Sequence, residues 1–398
     1  PLLSGDNRAE QLTALLTARR ALYDSFSAQI DTTNQSISHV VDEICALLAP
    51  RTLTIHAPGF HHEILLGYGL LESLSDLLAE RDLHGPVVMV TDENAARALS
   101  SVLRRAKRSS VVVLPAGESH KTLDTVRTLY DLFLQHGLDR TGVVIALGGG
   151  VVGDLAGFAA ATFMRGVRWV NVPTTLLAMV DASLGGKTGV DLPQGKNLVG
   201  AFHPPALILS DPLALNSLPP AERISGMAEV VKHGIVGDLA LFESLEASTA
   251  FGDICQIQQA IEVKVRIVEA DPFEKGVRAT LNLGHTIGHG VEAASGYRLR
   301  HGEAVALGLC AEAHIAERMG LAEQRLTGRI ALLLTRIGLP TDCPGLDPAA
   351  IRAAMSADKK KAGSRLKFAL PKRVGEVVHG IEVDEALIQE TLEIITHG

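Results

Sequence analysis

At 398 residues the chain has room for two to three domains with ample cores, and its 46% hydrophobic and 21% charged content is ordinary for a globular protein. A net charge of −8 argues against nucleic acid as a partner and against attraction of the bulk surface to anionic membranes. A small anionic ligand would therefore need a local cluster of Lys and Arg. The four cysteines, Cys45, Cys255, Cys310 and Cys343, form no CxxC pair, which argues against a disulfide framework or a thiolate zinc site and fits a reducing cytoplasm. No apolar run reaches the length of a membrane span. The opening PLLSGDNRAE has neither the basic start nor the apolar core of a secretory signal, so a cytoplasmic location is expected. It has no Met either, and the chain is expected to begin partway through a longer product.

Residues 1–50 predict a helix over RAEQLTALLTARRALYDSFS, an extended AQIDTT, and a second helix over SISHVVDEICALLA, with Asn34 and Ser36 supplying N-cap chemistry. This block is too short to bury a core of its own. From PLLSG through LLTARRALYDSF to IDTTNQS it resembles the C-terminal end of shikimate kinase. In that family the phosphate-binding loop lies at the other end of the domain, and no GxxxxGK[ST] occurs here, so no kinase activity is expected. A plain helical leader is the competing reading.

From Thr52 onward short β-branched runs alternate with helical patterns: TLTIHA, PVVMVTDENAARAL, SSVVVLPAGE, a helix over Asp124–Gly137, then GVVIALGGG. That alternation predicts parallel βαβ units, with ligands at the carboxyl ends of the strands. Those ends are TDEN (91–94), PAGESHK (115–121) and GGGVVGD (148–154). Gly148, Gly149 and Gly150 form neither a GxGxxG nor a Walker loop. They would let a backbone approach a pyrophosphate, with a helix expected to begin within a turn after Asp154. A glycine turn needed only for packing competes with this. Asp92 can accept from ribose hydroxyls or serve as an N-cap.

Arg165, Asp181, Lys187, Lys196 and Asn197 are threaded through an otherwise apolar or small segment, FMRGVRWVNVPTTLLAMVDASLGGKTGVDLPQGKNLVGAFHPP. Charges there are costly unless they line a polar site. The Gly-Gly-Lys-Thr and Gly-Lys-Asn contexts favour anion binding, while solvated loop lysines are the alternative. After Pro219–Pro220 helical patterns take over, which places a domain boundary near residue 220. GMAEVVKHG sets Glu229 and Lys232 on one helical face, either as site residues or as a surface ion pair. Helices over LFESLEAS and DICQIQQAIEVKVRIVEAD follow, the latter carrying Lys264 beside apolar neighbours. Arg278, Asn282, His285 and His289 then recur at helical spacing on one face. Asn282–Glu303 holds three histidines (His285, His289, His301) with Glu292 and Glu303. The spacing is not HExxH, since Thr286 follows His285. Neutral imidazoles on one face suit a divalent metal, with Glu229 as candidate acidic ligand; hydrogen bonding in a packed helix pair is the alternative. The C-terminal part reads as helical to about Ile337, with Lys359–Lys361 before a hairpin.

The motifs PAGESHK, ALGGGVVGDLAGFAAATFMRG, VPTTLLAMVDASLGGKTGVDLPQGKNLVGAF, GMAEVVKHG, RATLNLGHTIGHGVE, HGEAVALG and ADKKKAG together resemble 3-dehydroquinate synthases, of the sugar phosphate cyclase superfamily, from about Thr52 to the C-terminus. The resemblance implies an α/β fold: an N-terminal Rossmann-like NAD-binding domain (51–219) followed by a mainly α-helical metal- and substrate-binding domain (220–398), with residues 1–50 a kinase-like remnant. The chain then looks like the synthase half of a fused, multifunctional shikimate-pathway enzyme. Carried onto this sequence, Glu229, His285 and His301 would hold Zn2+ or Co2+. NAD would meet Asp92, Asn94, Glu118, Lys121, Gly149, Gly150, Asp154, Thr174, Thr175 and Lys196. The substrate would meet Arg165, Asp181, Lys187, Asn197, Lys232, Lys264, Arg278, Asn282 and Lys360, and His289 would contact its phosphate rather than the metal.

The implied substrate is DAHP, a seven-carbon keto-acid sugar phosphate, whose two anionic groups account for so many cations on an acidic protein. The implied reaction is transient oxidation, phosphate elimination, reduction, ring opening and intramolecular aldol closure to 3-dehydroquinate. A homodimer without nucleic-acid or membrane partners is implied as well. Three rivals compete. Another sugar phosphate cyclase would not need Lys264 and Arg278, the positions expected to read a carboxylate. An NAD- and metal-dependent alcohol dehydrogenase would not need the phosphate-binding lysines. A docking leader on an inactive scaffold would not need the complete metal and cation set.

Overall fold

A computed structural model of the chain describes residues 8–24, 30, 32–33, 35–37, 40–41, 44, 49–58, 60–106, 109–359 and 366–397. The first expected helix is present as Arg8–Asp24. The second falls largely outside the described residues, as does Lys360.

The α/β part is a seven-stranded sheet built from β1 (Arg51–Ala57), β2 (Phe60–Leu66), β3 (Val87–Asp92), β4 (Ser109–Leu114), β5 (Val143–Gly148), β6 (Arg168–Pro173) and, after an intervening hairpin of β7 (Lys187–Leu192) and β8 (Gly195–Phe202), β9 (Leu207–Ser210). The strand order is β1-β2-β9-β6-β5-β3-β4. From β2 to β4 every pairing is parallel. β5 is buried at every residue, as a parallel strand covered on both faces must be. Period-2 alternation splits the neighbouring residues: Val88, Val90, Val144 and Ala146 pack with Leu129, Phe133 and Leu155 of the helices Leu123–Gln135 and Gly150–Thr162. Met89, Ile145 and Leu147 face the other way, into a core that also takes Met227, Val231, Ile257 and Ile261. One face of the sheet is thus closed by the C-terminal helices, and a cleft forms where they meet the strand ends.

Two expectations need correction here. The first strand does not open a parallel βαβ unit: β1 pairs antiparallel with β2, Ile55 opposite His62. In FHHEILL two histidines and a glutamate separate Phe60 from the apolar ILL and hide its strand character. The helix after the glycines starts at Gly150, not beyond Asp154, so Asp154 projects from its second turn.

The C-terminal part consists of the helices Pro220–Gly237, Leu239–Ala247, Ile254–Ala270, His285–Ala294, His301–Arg318, Leu326–Ile337, Pro348–Lys359 and Glu385–His397, with the hairpin β10 (Lys367–Arg373) and β11 (Glu376–Glu382). His301–Arg318 runs through its centre, buried at nearly every turn. Gly302 and Gly308 allow its neighbours to touch its backbone: a Cβ added at Gly302 would lie 1.8 Å from the Ser225 carbonyl oxygen, and one at Gly308 1.9 Å from that of Gly284. The face expected to run unbroken from Arg278 to His289 is interrupted. Val277–Asn282 is a 3-10 turn, and Gly284, at φ 79°, starts a new helix at His285. Only glycine takes that backbone geometry without strain. Among the described residues no helix is long and apolar enough to cross a membrane.

Candidate active site

Two cavities open along the cleft. The larger, of about 1000 Å³, lies across the carboxyl ends of β3, β4, β5 and β6, and every expected NAD contact lines it: Asp92, Asn94, Glu118, Lys121, Gly149, Gly150, Asp154, Thr174, Thr175 and Lys196. Gly149 caps the helix Gly150–Thr162 with no side-chain acceptor, so the first amides of that helix are left for a ligand. A Cβ at Gly149 would come within 3.2 Å of Thr175 Cγ2, and one at Gly150 within 3.3 Å of Ala182 Cβ, so side chains there would fill the cradle. Asp92 serves as the N-cap of the helix Glu93–Ala98. Its Oδ1 accepts from the amides of Asn94 (2.9 Å) and Ala95 (2.8 Å), and it still faces the groove. Lys121, almost fully buried, donates to Asp154 Oδ2 and to Asn197 Oδ1, both at 2.6 Å. Burial pushes Asp154 up against the pull of Lys121, to about 6.

The second cavity, of about 590 Å³, is lined by Lys187, Lys232, Lys264, Arg278, Asn197, Asn282 and Asp181. Four cations within one pocket of an acidic chain form the local positive cluster that an anionic ligand requires. Asp181 sits at its floor. Its Oδ1 lies 2.7 Å from Lys264 Nζ and 3.6 Å from both Lys232 Nζ and His233 Nε2. Burial would raise Asp181, but the two ammonium groups hold it well below the usual carboxylate range. Burial lowers Lys264 to about 8 despite Asp181. Glu229 and Lys232 form a fully buried ion pair, not a surface one.

Between the cavities Glu229, His285 and His301 converge. Glu229 Oε1 is 3.5 Å from His285 Nε2 and 3.4 Å from His301 Nε2. Tetrahedral ligands about 2.1 Å from a zinc ion sit about 3.4 Å from one another, so these separations fit a shared divalent cation. Glu229 is fully buried and its Oε1 has no hydrogen-bond donor, which such an ion would remedy. Burial, with Lys232 close by, lowers His285 to about 3, whereas at His301 burial is outweighed by Glu229 and Glu292, which raise it to about 9, so metal binding there would displace a proton. His301 Nδ1 lies 3.5 Å from Glu292 Oε2, whose other oxygen accepts from Lys196 at 2.8 Å. His289, its ring 5.3 Å from that of His285, lines the larger cavity.

Arg165 joins neither cavity. It is exposed beyond the far end of the helix Gly150–Thr162, whose thirteen residues carry the chain about 20 Å from the glycine turn. Two residues not anticipated bear on the pocket, one lining it and one buried behind it. Glu274 lines it and pairs with Lys187. His233, wholly buried, faces Asp181. Only adjacency to Lys232 could have flagged His233, and nothing in DPFEKG singled out Glu274.

The architecture is that of sugar phosphate cyclases. The solved 2-deoxy-scyllo-inosose synthase complexed with carbaglucose-6-phosphate, NAD+ and Co2+ matches at TM-score 0.77 and 29% identity, over 86% of this chain and 99% of that one. The 2-epi-5-epi-valiolone synthase of Streptomyces hygroscopicus subsp. jinggangensis 5008, with NAD+ and Zn2+ bound, matches at TM-score 0.75 and 28% identity, over 84% and 96%. Family models for the N-terminal and C-terminal parts of 3-dehydroquinate synthase match residues 111–225 and 226–361. The 3-dehydroquinate synthase of Symbiobacterium thermophilum is 45% identical over 352 residues, spanning 84% of this chain and 98% of the relative. The chain belongs to the 3-dehydroquinate synthase family.

Proposed function

We propose that the chain is a working 3-dehydroquinate synthase, converting DAHP to 3-dehydroquinate and phosphate with NAD and one divalent metal ion, zinc or cobalt. The observation that carries this is the junction of the cavities: the cation-lined pocket and the strand-end groove are both lined by Asp154, Asp181, Lys187, Asn197 and His285, beside the Glu229–His285–His301 cluster. Cofactor, metal and a doubly anionic substrate would thus meet at one point. When bound, NAD supplies a hydride acceptor that is regenerated, and the metal supplies Lewis acidity toward a substrate hydroxyl.

The chain's own residues bind and orient. Lys264 and Arg278 face the substrate carboxylate, and His289 its phosphate. Lys187, Lys232, Asn197 and Asn282 fix the sugar between them, and Asp181 holds the two buried lysines in place. Glu229, His285 and His301 hold the metal; the ten groove residues hold NAD. Orientation and electrostatic stabilisation supply most of the rate. Lys360 completes the substrate set on motif resemblance alone; Arg165, which lines neither cavity of this chain, is not placed in it. The same reading divides the chain at residues 51 and 220, makes residues 1–50 the end of a kinase-like domain in a multifunctional fusion, and places a homodimer in the cytoplasm. Its support there is the resemblance of PLLSG to IDTTNQS for the fusion, the dispersed cysteines for the cytoplasm and the family resemblance for the homodimer.

The test is phosphate release from DAHP with substoichiometric NAD, before and after chelation. Many turnovers per NAD, lost on chelation and restored by zinc, are expected. Stoichiometric NADH from an alcohol, without phosphate release, would replace this reading with a dehydrogenase.

A further inference from the structure

We propose that Glu312 is a positioning residue for metal binding: it pins the start of the helix His285–Ala294 and thereby sets where His285 stands. The inference rests on the reading of Glu229, His285 and His301 as metal ligands. Glu312 lies within the helix His301–Arg318 and is wholly buried. Its Oε2 accepts from the Gly284 amide at 2.6 Å and its Oε1 from the Ile287 amide at 3.2 Å. These amides belong to the N-cap and third residue of the His285 helix, and the N-cap, being glycine, has no side chain to satisfy them. A helix start buried without an acceptor would be destabilised and free to fray. Here the acceptor comes from a neighbouring helix, about three turns along from His301.

The distances around Glu312 show why this fixes a ligand and not merely a helix. The Gly284 carbonyl lies against Gly308, where a Cβ would be 1.9 Å away, one turn before Glu312. At its other end the same helix touches the Glu229 helix through Gly302, whose amide donates to Ser225 Oγ at 3.1 Å. One helix therefore carries His301 at its first turn, meets the backbone of the Glu229 helix beside it, and holds the first turn of the His285 helix with a carboxylate. The positions of all three ligands are referred to a single rigid element. His285 is the ligand that needs the pin, since its helix follows a 3-10 turn and a left-handed glycine, not an unbroken helical run.

The experiment compares the full chain with Glu312→Gln, Glu312→Asp and His285→Ala, reading zinc affinity by chelator competition alongside circular dichroism and NAD binding. The amide of E312Q can satisfy only one of the two N–H groups, and E312D keeps the charge but shortens the reach. Each is expected to weaken zinc binding about 10- to 100-fold, the usual effect of losing an outer-shell support, with NAD affinity unchanged and activity recovered at high zinc. A lower melting temperature with wild-type zinc affinity in both variants would make Glu312 a structural residue only and overturn the proposal. His285→Ala separates this from the underlying reading: if it too keeps wild-type zinc affinity, the metal assignment itself has failed.

Discussion

Lys264 Nζ donates both to Oδ1 of Asp181, at 2.7 Å, and to the backbone carbonyl of Asp181, at 2.6 Å. A helix of the C-terminal part thus grips the π-helical turn Ala178–Ala182 of the α/β part by side chain and backbone together. The ammonium of Lys264 is already committed to Asp181 when a substrate anion arrives, and it must remain protonated to serve both.

That requirement sets an alkaline limit. Burial lowers Lys264 to about 8, so the charged form is lost as pH rises through that value. We expect kcat/KM for DAHP to fall above about pH 8. Lys264→Arg, charged at every accessible pH, should lower activity but move the limb upward. An alkaline limb that stays in place in the Arg variant would assign it to another group.

Asp154 gives a stability effect of defined sign. Burial raises its folded value to about 6, above the ordinary 3.8. Between those values the folded state holds the extra proton, so stability falls as pH rises through the window, by up to about 3 kcal/mol. Asp154→Asn should flatten urea midpoints between pH 4 and 6 relative to the parent chain. Parallel curves for the two proteins would sink this assignment.

Glu229→Gln and His285→Ala should both abolish tight zinc binding yet differ in metal-free stability. The glutamine leaves the ammonium of Lys232, fully buried, without its nearest carboxylate, with Asp181 Oδ1 3.6 Å away. Breaking a buried pair in this way costs about 3 kcal/mol. His285→Ala strands no charge. Thermal denaturation in chelator should therefore place E229Q well below H285A, and equal melting temperatures would contradict the buried pair.

Glycine to alanine within a helix ordinarily stabilises by about 1 kcal/mol. At Gly302 and Gly308 the sign should reverse, because the new methyl would meet backbone oxygens at 1.8 and 1.9 Å that no rotamer can relieve. A net loss of about 2 kcal/mol or more is expected for each, together with weaker zinc binding, because the helices bearing the ligands are forced apart. Gly328→Ala, where nothing lies within 4 Å, is the control and should be neutral or stabilising.

Much of the site was legible because its chemistry is local in sequence. Glycines after a strand, lysines flanked by glycine and histidines at helical spacing each state a geometry within a few residues. Glu229 could be named as an acidic ligand but not placed, since its approach to His285 depends on how two helices pack. The break at Gly284 was hidden because Arg278, Asn282 and His285 keep helical spacing across it while the backbone does not. β2 was hidden by the polar His61, His62 and Glu63 between its apolar ends. Glu274, His233 and Glu312 escaped for one common reason: each is defined by a partner far along the chain, Lys187, Asp181 and Gly284, and no local pattern announces a partner.

The two cavities have walls in common, among them Asp154, Asp181, Lys187 and Asn197. A molecule seated in either one becomes part of the surface the other presents. The groove and the pocket can therefore influence each other's affinity through those walls. Whatever factor NAD contributes to holding an anion in the cationic pocket, that anion contributes to holding NAD, and the loop is closed by thermodynamics alone. The sign of that factor decides whether the regenerated cofactor is held more firmly with the pocket filled or with it empty.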